Sequence, residues 1–358
     1  MIIVSTWKFL GLNLDTIRFM RGTIQRNVGH AALQVTSGPN KGVYLSWWPG
    51  GGWTPDNKER YASPNSIKED MSSEAENRRG NISAEFQQFL DAVQKIADGT
   101  TKDADKAREI YEAAMLGDSE GVERVKFRPA DEFYHIPSLA DGALHGLDDT
   151  AIVEWWTDMN VQLKKAIDKG EYNKNAYYNL ITHNCSDIII QALIHGGGNK
   201  FYPSLAGWGI VTPDYVDKAA TNILQNISEK TAAYLAAVEK IVIDKKPNEL
   251  PKPAEYSEVH DALLKEGLDK KEVGDIDRLL AQYTKAKDRD AKIETLEALI
   301  LEIGSHLPAK GEKGSPKLKT DELQELANEA LDSINKLLEE RKKAHSELVK
   351  TKAKKLWK

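Results

Sequence analysis

A single cysteine, Cys185, stands in a chain of 358 residues, so no disulfide can form within the chain and no multi-cysteine metal site can be built. No stretch approaches the roughly 18 apolar residues that a membrane-spanning helix needs. The opening MIIVSTWKFLGL has neither a cationic start nor a hydrophobic run before a small-residue cleavage site, so no Sec signal peptide is expected. Neither sign of charge dominates: 49 basic residues face 55 acidic ones, a net −6, which gives no support for nucleic acid as a partner. Histidine, aspartate and glutamate do not cluster at metal-ligand spacing, so no metal is expected. GPNKG lacks the Lys-Ser/Thr pair and following helix of a phosphate-binding loop. These absences point to a soluble protein, cytoplasmic or exported without a Sec signal.

What is present is enough for a sizeable core, with 41% hydrophobic and 29% charged residues. The length exceeds the roughly 250–300 residues at which single cores stop growing, so two domains are expected. VGHAALQV and GVYLSWWP read as two strands of a hairpin around the turn cluster TSGPNKG, with Pro49 and Gly50–Gly52 ending the second. Residues 50–82 read as polar loop. Phe86, Phe89, Leu90, Val93 and Ile96 fall on one helical stripe, which makes 83–125 a helical insertion. A third strand is expected within VERVKFRPADEFYHIPSL. A helix should start at Asp148 or Asp149, and another within His183-Asn184-Cys185-Ser186-Asp187, ending at Gly196–Gly198. From about residue 221 Ala, Leu, Lys and Glu take over. Helices are expected near 218–244, 256–266, 270–304 and 320–356. Leu323, Leu326, Ala330, Ile334, Leu337, Leu338 and Leu348 suggest a bundle or coiled coil. The domains are therefore read as 1–220 and 221–358.

The chemistry centres on Cys185. At a helix N-terminus, unpaired backbone N–H groups and the macrodipole favour a thiolate, the reacting form, and supply donors for an oxyanion. A lone cysteine is otherwise a small buried hydrophobe. His30, a polar residue inside an apolar strand, is the candidate base; otherwise it is a core histidine bonded to a carbonyl. Asp70, in SIKEDMSSE, is the first choice to orient the imidazole, with Glu69, Glu74 and Asp56 as competitors. Asn184 can cap the helix or, with Ser186, orient an oxyanion. His183 reads as a loop residue and His195 as a partner of the helix C-terminus. Trp47, Trp48 and Trp208 are candidates for an apolar acyl groove, though Trp53, Trp155 and Trp156 share the ordinary alternative of core packing.

The ordered series GHAAL, YLSWWP, EDM, LDDTAIVEWW, YNLITHNCSDIIIQALIHGGG and GWGIVTPDYVDKAA, over residues 28–220, resembles circularly permuted papain-like thiol enzymes. Within them it looks closest to the Rho-inactivation-domain relatives of bacterial toxins and effectors. The resemblance implies an α+β fold in which an antiparallel sheet packs on a cysteine-bearing helix, and a catalytic set of Cys185, His30 and Asp70. It implies lysine fatty-acyl transfer to small GTPases, with an acyl thioester such as acyl-CoA as co-substrate, no bound cofactor, and delivery into a host cell. The helical C-terminal third lies outside it. A peptidase or amidase differs only in using water as acceptor. A binding protein without catalysis is the alternative of another class. The segment from Arg341 to Lys358 holds eight basic residues and one Glu, a solvated helix end or a contact for an anionic membrane surface.

Overall fold

The computed structural model describes residues 1–7, 30–53, 60–67, 69–70, 130–171, 173, 176–178, 183–206, 211–241, 250–308 and 321–356. The expected helical insertion at 83–125, Glu74, Asp56 and Trp208 lie outside the described residues. The described fold is mixed α+β with two small antiparallel sheets, as the sequence implied at that level. The chain divides into two compact units, 1–141 with 146–226 and 142–145 with 227–358.

In the first unit, strands β1 (Ile2–Trp7), β2 (His30–Val35), β3 (Tyr44–Leu45) and β6 (Glu132–Ile136) form one sheet in the order β3-β2-β1-β6. The short apolar start, which drew no strand assignment from sequence, is therefore a central strand. Every residue of β2 is buried, so both faces of that strand are covered. Register sets which side chains share a face. Trp7 pairs with His30 and Tyr44 with Gln34, so Trp7, His30 and Tyr44 stand on one face, while Val4, Leu33 and Leu45 stand on the other.

The second sheet, in the order β4-β5-β7, joins β4 (Trp48–Trp53), β5 (Arg60–Ser63) and β7 (Tyr177–Tyr178). This corrects the expectation that GVYLSWWP is one strand stopped by Pro49 and the glycines. The strand breaks at Ser46-Trp47, and WPGGGW continues as β4 in the other sheet. A register irregularity between Pro49 and Trp53 accommodates the proline. Gly50 is required there, because a Cβ would fall 2.7 Å from the Tyr61 carbonyl oxygen.

Helix α1 (Asp149–Lys169) starts where an acidic cap was expected: the Asp148 carboxylate accepts from the amides of Thr150 and Ala151. Helix α2 (Cys185–His195) lies against β2 and α1. The two helices approach closely at Gly196, where a Cβ would meet Ile152 Cδ1 at 2.7 Å. His195, expected to serve the α2 C-terminus, is its last residue and also stacks on Trp155 with ring centroids 5.1 Å apart. Helix α3 (Pro213–Val238) begins in the first unit and ends in the second.

The second unit holds α4 (Tyr256–Glu266), α5 (Lys270–Lys285), α6 (Arg289–His306) and α7 (Asp321–Leu356). Its core is aliphatic, with Leu263, Ile276, Leu280, Leu296, Leu299, Ile300, Leu323, Ala330 and Ile334 buried. The helix expected over 270–304 is two helices. Ala286 turns to an extended ψ of 123°, and Asp288 caps α6 by accepting from the Ala291 amide at 2.8 Å. The Lys-Asp-Arg-Asp stretch carried that cap signal. The Leu348 side chain lies outside those described. Residues 142–145 belong here because His145 is held between Glu297 Oε1 at 2.8 Å and Thr231 Oγ1 at 3.1 Å.

Candidate active site

Helix α2 begins at Cys185 because Asn184, with extended backbone, caps it. Its Oδ1 accepts from the Asp187 amide at 2.9 Å, and its Nδ2 donates to the Val211 carbonyl at 3.0 Å. The side-chain amide is thus engaged at both ends, which answers to the capping role. Cys185 is buried in the first turn, and Ser186 Oγ lies 4.0 Å from its Sγ. The amides of the first turn have no acceptor within the helical ladder, which makes this end favourable for negative charge.

The structure brings His30 and Asp70 together. His30 Nε2 donates to Asp70 Oδ2 at 2.9 Å, with both side chains almost wholly out of water. Asp70 also accepts from Tyr44 Oη at 2.7 Å on Oδ2, and from Ser46 Oγ at 2.7 Å and Trp48 Nε1 at 2.5 Å on Oδ1. A buried carboxylate is tolerable only when its lone pairs are satisfied, and here both oxygens accept two donors each. Glu69, the described competitor for this role, is exposed and bonds Ser66.

Sequence reasoning missed Tyr44, Ser46 and Trp48, although the signal was present. They occupy alternate positions in Tyr44-Leu45-Ser46-Trp47-Trp48, so an extended chain presents all three to one side. Trp7 was missed with its strand. The imidazole of His30 lies between the Trp7 ring at 5.1 Å and the Trp48 ring at 4.6 Å, a setting that favours a cation over π-faces. Burial by itself would lower the His30 pKa. The Asp70 carboxylate, hydrogen-bonded to the ring, and the nearby Cys185 sulfur outweigh it and hold His30 well above its usual 6.5. Burial, with the same carboxylate, pushes the Tyr44 hydroxyl well above 10, keeping it a donor.

The two described groove candidates are part of this packing. Trp48 belongs to the His30–Asp70 assembly, and Trp47 is fully buried, edge-on to Trp156 at 5.8 Å and to His183 at 5.9 Å. His183, read as a loop residue, pairs through Nδ1 with Asp187 Oδ2 at 3.4 Å and packs on Tyr177. Among the described residues no group of histidine, cysteine and carboxylate side chains is arranged to hold a metal ion. No described helix is long and apolar enough to cross a membrane.

An α+β unit that buries a cysteine, a histidine and an aspartate around one helix start, in a chain that continues into an all-helical unit, defines the class. Residues 21–242, more than half of the chain, match the family model of the IcsB middle domain, and the chain belongs to that family. This is a bacterial effector family, which makes the protein effector-type. No curated protein and no solved structure matches the chain.

Proposed function

We propose that the protein is a thiol acyltransferase of permuted papain-like architecture, with Cys185 as nucleophile, His30 as its acid and base, and Asp70 as the group that orients His30. The observation that carries this reading is the buried His30 ring, held by Asp70 at 2.9 Å on a strand that packs against the helix Cys185 opens. Because Nε2 is committed to Asp70, Nδ1 is the nitrogen that exchanges a proton with the thiol.

In the reaction so proposed, the Cys185 thiolate attacks the carbonyl carbon of an acyl thioester such as acyl-CoA. The Sγ–C bond forms, the bond to the donor sulfur breaks, and His30 gives its proton to the departing thiolate. Neutral His30 then takes a proton from an acceptor amine as that amine attacks the acyl-enzyme. The C–N bond forms and Cys185 leaves as thiolate beside a recharged imidazole. The effector family makes a host protein lysine the acceptor we favour, with small GTPases the class implied by the sequence resemblance. Water in place of the amine gives the peptidase or amidase outcome. Exposed Lys342 and Lys343 open the basic end of α7, where we place the contact with an anionic membrane surface; Arg341 is withdrawn from it, buried and paired with Asp290 at 3.1 Å.

The test uses the single thiol. Alkylation of Cys185 by iodoacetamide, followed by mass spectrometry, should be fast near pH 6.5 and slow at least ~10-fold in His30→Ala, and acyl-CoA should add one acyl group to the unalkylated protein. Labelling that rises only near an ordinary thiol pKa of about 8.5 in both proteins would leave a binding protein.

A further inference from the structure

Acyl transfer through Cys185 needs donors for the oxygen that becomes negative when the carbonyl is attacked. Helix α2 supplies backbone amides, but Asn184 is engaged elsewhere. Two other polar atoms near this turn are buried and have no hydrogen-bond partner among the described residues, the indole Nε1 of Trp47 and Nε2 of His183. Trp47 is wholly buried. Its ring stands nearly perpendicular to that of His183, at 83° and 5.9 Å, and His183 lies two residues before the cysteine. On either side of Trp47 in the chain, Ser46 and Trp48 bond Asp70. The unpaired indole thus follows, in the chain, a residue that bonds Asp70, while its ring, turned to the opposite side of the strand, meets His183 beside the thiol.

A buried N–H without an acceptor is unfavourable, and native proteins rarely keep one unless a ligand or a reaction uses it. Resting on the thiol-acyltransferase reading, we propose that Trp47 Nε1–H is the side-chain donor of the oxyanion site. His183 Nε2 joins it in the tautomer that carries the hydrogen there. As Sγ bonds to the acyl carbon, the carbonyl π pair moves onto oxygen, and the oxyanion accepts hydrogen bonds from these fixed donors. The pair returns to re-form the C=O as the donor thiolate leaves. The substrate class this serves is an acyl thioester or ester. A group fixed in place before the reaction stabilises such charge without reorganisation, which is why removing one donor of this kind slows chemistry about 10²–10³-fold.

Replacing Trp47 by β-(3-benzothienyl)alanine keeps the bicyclic ring and removes the N–H, whereas Trp47→Phe would also delete one ring and open a cavity in a wholly buried site. Alkylation of Cys185 by iodoacetamide develops no oxyanion, whereas acylation by acyl-CoA or a p-nitrophenyl ester does. The expected result is an acylation rate reduced about 10²-fold, an unchanged alkylation rate, and a Tm equal to or above that of the parent protein. His183→Gln, which keeps a donor, should retain more acylation than His183→Ala. Equal loss of both rates, a lower Tm, or no loss of acylation in the benzothienyl variant would overturn the proposal. A parent protein whose Cys185 is unreactive toward both reagents would instead remove the acyltransferase reading beneath it.

Discussion

The two units solve the problem of burial in opposite ways. The helical unit buries aliphatic side chains at regular spacing, as in Leu296, Leu299, Ile300 and Ile303 along α6. The sheet-bearing unit buries an ionisable assembly, His30 and Asp70 with Tyr44 and Ser46, between aromatic rings. Hydrophobic burial is non-directional, so many sequences satisfy it, and the loss of one methyl group is felt locally. A buried carboxylate has no such tolerance, since removing either partner strands the rest. A substitution is therefore most damaging in the sheet-bearing unit, at its buried ionisable groups.

The largest effect should come from the polar side. Asp70→Ala leaves four donors facing a cavity, and the first unit should lose about 3–5 kcal/mol. The six described tryptophans all lie in the first unit, so urea unfolding followed by tryptophan fluorescence weights that unit, while circular dichroism at 222 nm weights the helical one. Loss of the 222 nm signal at the same denaturant concentration as the fluorescence would break the contrast between the units.

An intermediate effect follows from charge. His30 has a folded-state pKa raised above 6.5, so it contributes stability that is complete below about pH 6.5 and is lost as pH rises through the folded value. In Asp70→Asn the fall of Tm over that window should flatten. The helical unit offers a smaller counterpart in Glu329. Burial, then repulsion from Glu325, Glu322 and Glu255, raises its pKa to about 7. A carboxyl so raised stabilises fully below its unfolded value near 4.5 and ceases to do so as pH passes about 7. Glu329→Gln should therefore raise the Tm of the helical transition by a few degrees at pH 8 and leave it unchanged at pH 4. Equal gains at both values would refute the assignment. The smallest effect is at a cap: Asp288→Ala should cost about 1 kcal/mol, read from the urea midpoint of the helical unit.

The legible parts of the molecule were those written by local rules. Asp148 before an apolar stripe, Asn184 before Cys185, and the glycines after His195 announce helix ends because each satisfies, or relieves, backbone groups within a few residues. His30 stood out as one polar residue in an apolar strand. The break between α5 and α6 was overlooked because the apolar spacing runs through it, although Asp288 marked it. Strand β1 went unassigned because a central strand buried on both faces shows no alternation to distinguish it from any short apolar run.

Composition and local pattern carried the helices of the C-terminal third, the starts of α1 and α2, and the single thiol. They carried these because capping, periodicity and composition are local properties. Only the tertiary structure decided that Tyr44, Ser46 and Trp48 converge on Asp70 and that Trp7 and Trp48 flank His30. The same holds for the WPGGGW segment, which crosses into a second sheet. Those outcomes depend on strand register and on which face of each strand meets which neighbour, and a shift of one residue in pairing would turn every one of those side chains away.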